Sequence, residues 1–217
     1  NDAFRSSDHD PVIIGLKLAS EQGTPAMVTP APVVPEPQPE TPTTPPVLPA
    51  VFISEIHYDN PGADVGEAIA VQGAAGTDLS GWKLVAYNGS NGQFYGPNNS
   101  NSQGITLSGV IDDESNGQGE LGFNFAGLQN GAPDGIALVN ASGQVVQFLS
   151  YEGVFMATNG PATGINSVDI GVAQSGTEPA GGSLKFNSFT GSWIVSANDN
   201  FGALNFINAT MENPAQM

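Results

Sequence analysis

Ten of the seventeen prolines in this 217-residue chain fall between residues 19 and 49, at positions 25, 30, 32, 35, 37, 39, 42, 45, 46 and 49. Each proline fixes its own φ and lacks a backbone donor, so such a stretch enters neither a helix interior nor a central strand. With Thr, Val, Ala and Glu between the prolines, residues 19–49 read as a disordered, polyproline II-type spacer without a core. At about 3.1 Å per residue it can hold its two ends up to roughly 90 Å apart. The spacer cuts the chain into unequal parts. Residues 1–18 hold one candidate strand, Val12–Leu18, and a single strand buries nothing by itself. Together with an opening residue that is not Met, this makes the chain expected to be the C-terminal part of a longer protein. Residues 50–206 are long enough for a core of their own, and 207–217 are a tail or the start of a further segment.

Within 50–206 the texture is that of a β protein. That span carries 26 of the 28 glycines, and short apolar runs alternate with turn residues. Leu121, Phe123 and Phe125 alternate with Glu120, Gly122 and Asn124, a period of two that places the apolar set on one face. Further strands are expected at 51–58, 68–72, 82–87, 104–107, 136–140, 144–150, 183–189 and 192–195. Asn-Gly and Ser-Gly pairs separate them, and Ala141-Ser142-Gly143 reads as the turn of a hairpin. No window shows a helical stripe. The expected fold class is all-β, a sandwich of about eight to ten strands.

Charge narrows the function. Asp and Glu number 21 against 4 Lys and Arg, a formal net charge of −17. Between 50 and 206 there are 14 acids and only Lys83 and Lys185. Nucleic-acid binding draws most of its affinity from cationic contacts to phosphate, so the β region is not expected to grip DNA. The absence of cysteine removes disulfides, thiolate metal sites and cysteine nucleophiles. No run of about 18 apolar residues is present, so no helical membrane span is expected. Asp59, Asn60, Asp64 and Glu67 share one loop and Asp112–Glu114 another. Their hard oxygen ligands suit calcium at Asp59, Asp64 and Glu67, while solvated turn residues are the simpler account. Trp82 and Trp193 are expected in the core. Phe94 and Tyr95, in a polar loop, are candidates for an exposed recognition tip, and His57 for a satisfied edge-strand side chain.

Arg5-Ser6-Ser7-Asp8-His9-Asp10-Pro11-Val12, followed by an apolar strand, resembles the final motif of the endonuclease/exonuclease/phosphatase superfamily. The resemblance implies a metal-dependent phosphodiesterase. His9 would act on the scissile phosphate as a general acid/base or electrostatic group, and Asp8 would help hold Mg²⁺ or Ca²⁺. The remaining ligands and the second His of that family would lie upstream, so the fragment itself is not expected to cleave DNA.

Residues 51–205 resemble the lamin tail domain, an immunoglobulin-like sandwich. The matching stretches are VFISEIHYDN at 51–60, Gly66-Glu67, DLSGWKL at 78–84, DGIALV at 134–139, Gly182-Ser183-Leu184, Trp193 and FGALN at 201–205. Where that family carries an aromatic and then an acid after the Gly-Glu, this chain has Ala68 and Ala70, which leaves room for neighbours to fill. Together the two resemblances imply the end of a secreted, extracellular or cell-surface nuclease. DNA would be the substrate of the absent catalytic part. The β domain would be a monomeric, non-catalytic module that docks on a protein or a cell-surface polymer. The alternative is a secreted adhesion or structural module without nuclease activity.

Overall fold

The computed structural model describes residues 48–177 and 179–205; Asp8, His9 and nearly all of the proline-rich segment lie outside these residues. Among the described residues eleven strands form two sheets. They are β1 (Val51–His57), β2 (Ala68–Ala74), β3 (Lys83–Asn88), β4 (Gln93–Tyr95), β5 (Ile105–Thr106), β6 (Gln118–Asn124), β7 (Asp134–Val139), β8 (Val145–Tyr151), β9 (Val168–Asp169), β10 (Ser183–Asn187) and β11 (Ser192–Ser196). One sheet runs β11-β10-β1-β2-β6; the other runs β4-β3-β7-β8-β9 with β5 added to β3. Every pairing is antiparallel except β8 with β9. The fold is an all-β sandwich, with one strand more than the upper end of the sequence-based range.

Facing side chains join the two sheets. Ile53, Ile56, Ile69, Val71 and Leu184 of the first pack with Leu84, Ala86, Ile136, Leu138 and Leu149 of the second. Tyr58 and Tyr151 stack across this core with ring centroids 3.8 Å apart. Trp82 and Trp193, expected in the core, lie half-buried against it.

The second sheet is covered on its outer face as well. All six residues of β7 are buried. The excursion between β8 and β9 lays Phe155, Ala157 and Ala162 over Val85, Tyr87, Ala137 and Phe148. Two-sided burial explains why GIALV is a continuous apolar run rather than an alternation. The hairpin at 141–143 forms as expected: Asn140 Oδ1 accepts from the Ser142 and Gln144 amides at 3.1 and 2.9 Å.

Two expectations need correction, and one acid is buried without a signal of it in the sequence. Tyr95 is buried, edge-on to Phe125, and its hydroxyl accepts from the Gln129 amide, while Phe94 packs against the second cluster. These aromatics are cemented into the fold because a short strand, β4, pairs with β3 where the sequence shows only a polar loop. His57 is indeed satisfied, between Val65 O and the Gln174 side chain at 3.0 Å each, but it sits on β1, an interior strand of its sheet. Glu120, the polar partner in the clearest alternation, is fully buried rather than solvated.

Candidate functional site

One end of the sandwich is built from three connections: β1–β2, the stretch following β3, and β6–β7. Between them opens a cleft of about 690 Å³. Its lining includes Asp64, Glu67, Asn88, Asn98, Asn99, Gln129, Asn130 and Asp134. Sequence reasoning placed Asp64 and Glu67 together, and the structure brings both to this cleft. Asp59 is elsewhere: its amide donates to Gln174 Oε1 at 3.2 Å and its carboxylate faces Gly176. The three do not converge on one point. Among the described residues, no group of three or more His, Cys, Asp or Glu side chains is arranged to hold a metal ion.

The cleft is assembled around Gln129. Its side-chain oxygen accepts from Asn88 Nδ2 at 2.5 Å and its Nε2 donates to Asn99 Oδ1 at 2.7 Å. Its amide donates to Tyr95 Oη at 2.8 Å, and its carbonyl accepts from Tyr151 Oη at 2.5 Å. Four elements are thereby tied to one residue, a fully connected polar network. Asn98 and Asn99 both adopt positive φ, 54° and 57°, a conformation that asparagine tolerates better than most residues. Sequence reasoning missed Gln129 and Asn99. The local signal was only a polar loop, and their meeting depends on how three separate connections pack.

The electrostatics are one-sided. Asp64, Glu67 and Asp134 contribute carboxylates, and among the described residues no Lys or Arg lines the cleft. Burial pushes Glu67 up from the usual carboxylate range, against a hydrogen bond from the Gly127 amide. Burial likewise pushes Asp134 up to about 6, against the Gly89 amide that donates to it at 2.9 Å. Such a surface offers amide donors and many acceptors to a hydroxyl-rich or cationic group and opposes a phosphate. A second groove of about 470 Å³, lined by Leu149, Ile170, Val172, Phe186 and Trp193 among others, is more apolar, with Asp169 the one charged side chain among the described residues that line it.

No protein-family model, curated protein or solved structure matches this chain.

Proposed function

We propose that residues 50–206 are a non-catalytic docking module of immunoglobulin-like, lamin-tail type, tethered by the proline-rich segment to an extracellular metal-dependent nuclease. The Asp8-His9 motif would be that nuclease's last active-site element. What supports the docking role best is the cleft: a cavity lined by amides and three carboxylates, to which the described residues bring no cationic side chain and no paired nucleophile and base. Its favoured ligand is a neutral, hydroxyl-rich cell-surface polymer. A flexible tether then raises the concentration of the catalytic part near that surface.

DNA would be handled by the nuclease part and not by the β domain. Lys185 lies 3.6 Å from Glu55 and donates to Asn200, so among the described residues only Lys83 remains to meet a phosphate. In the parent protein, Asp8 would hold Mg²⁺ or Ca²⁺, which would neutralise charge on the scissile phosphate, and His9 would exchange the proton.

Co-sedimentation with insoluble envelope polysaccharide tests the docking role, with a phosphodiesterase assay on the same material. The chain should pellet with the polymer and leave DNA uncut. A chain that stays in the supernatant with every polymer tried would sink the docking role; metal-dependent cleavage by residues 1–217 would refute the assignment of 1–18 as an isolated fragment. The calcium option is tested by thermal melting with calcium and with EDTA, where an unchanged midpoint is expected.

A further inference from the structure

The outer face of the five-stranded sheet carries a polar group unrelated to the cleft. Between Ile53 and Glu55 the β1–β2 register shifts, a bulge at Ser54. Glu55 and Glu120, from β1 and β6, are both fully buried. Ser54 Oγ donates to Glu120 Oε2 at 2.6 Å, and Ser183 Oγ donates to Glu55 Oε1 at 2.5 Å. A strap, residues 199–205, lies against this patch. The Asn200 amide donates to Glu55 Oε1 at 3.2 Å, and Asn205 Nδ2 donates to Ser54 O at 2.8 Å. Glu114 accepts from both the Leu204 amide and the Glu120 amide, at 2.5 and 3.0 Å.

Among the described residues, three buried oxygens of the patch find no donor after these bonds: Glu55 Oε2, Glu120 Oε1 and Asn205 Oδ1. All three are acceptors, and buried acceptors left unpaired are costly. One bound proton changes that count, because a carboxylic acid is a donor where a carboxylate is not. A calcium ion would need about six or more oxygen ligands, twice the number left over here.

We propose that the folded chain holds a proton on Glu120 Oε1, that this O–H donates to a neighbouring unpaired oxygen of the patch, and that it thereby fastens the 199–205 strap to the sheet. The charged groups acting on Glu120 are Glu55 from β1 and Glu114 from the connection before β6, while Lys185 from β10 and Asp199 from the strap act on Glu55. That is three carboxylates against one ammonium. Burial, with the Glu55 charge adding to it, pushes Glu120 up to about 8 from the ordinary 4.5. A folded value above the unfolded one means that folding takes up the proton. The strap is therefore held most firmly in acid and loosens as pH rises through about 8.

The test is a carboxyl-carbon NMR titration of Glu120 in the full chain, with hydrogen exchange of the Asn200 and Leu204 amides followed in parallel. The Glu120 carboxyl should remain protonated at about pH 6.5 and titrate near 8. Corrected for intrinsic rates, strap protection should fall by about tenfold or more between about pH 6 and pH 9. Glu120→Gln, which supplies a permanent donor, should keep the protection to the upper limit. Titration of Glu120 below about pH 5, or protection that stays constant while it titrates, overturns the proposal. So does calcium restoring protection at high pH in the unaltered chain and not in Glu120→Gln. The titration of the unaltered chain decides the matter even if the variant fails to fold.

Discussion

Gln129 shows how much of the candidate site rests on one side chain. Gln129→Ala removes the bonds to Asn88 and Asn99 and leaves the backbone bonds to Tyr95 and Tyr151 intact. The sandwich should persist, at a cost of about 1–3 kcal/mol in denaturant unfolding, while polymer retention falls sharply. Loss of retention without loss of fold is the outcome that supports a binding cleft; unchanged retention in the variant would place the contact elsewhere. At this scale the sequence was least legible. The acidic identity of Glu120 says nothing of its burial, because a polar residue in a period-two run reads as solvent-facing until something covers that face. Tyr95 reads as exposed because its neighbours are Asn, Gly and Gln. Its burial follows from a strand pairing that begins only two residues earlier, at Gln93.

Elements were read far better. β1, β2, β3, β6, β7, β8, β10 and β11 all fall where alternation or apolar runs placed strands, since each contributes residues to a core whose pattern is visible locally. β9 escaped because it has two residues, both exposed, and exists through parallel pairing to β8. The small residues of β2 have a structural answer. Ala70 pairs in register with Gly122, and Phe201 of the strap passes against that glycine. A Cβ added at Gly122 would lie 2.8 Å from the Phe201 Cβ. Gly122→Val should accordingly displace the strap at a cost of about 1–3 kcal/mol. Hydrogen exchange should then show the Asn200 and Leu204 amides exposed while β7 and β8 stay protected. Loss of protection throughout both sheets would mean that the strap is part of the core rather than a cover.

Across the whole molecule, acidity is the dominant property. Glu55, Glu67, Glu120 and Asp134 are all pushed above the ordinary carboxylate range, burial being the first cause in each. For such groups the folded state binds the proton more tightly than the unfolded state. Stability is therefore highest below the ordinary carboxylate value and falls as pH rises through each folded value, about 6 for Asp134 and about 8 for Glu120. The net charge of −17 acts in the same direction through self-repulsion. Urea unfolding should give a higher midpoint near pH 5 than near pH 8, and Asp134→Asn should narrow the gap, since Asn can still accept the Gly89 amide. A midpoint that climbs with pH over this interval would show that these carboxylates are solvated in the folded chain.

The same charge underlies the central claim that the β domain docks without holding DNA. Its most direct test is fluorescence anisotropy of a labelled duplex titrated with the full chain at about 20 mM and about 150 mM salt. No binding is expected at either concentration: the whole chain has 4 Lys and Arg against 21 Asp and Glu, and among the described residues only Lys83 is left to meet a phosphate. Saturable binding at physiological salt that weakens steeply as salt is raised would contradict the claim.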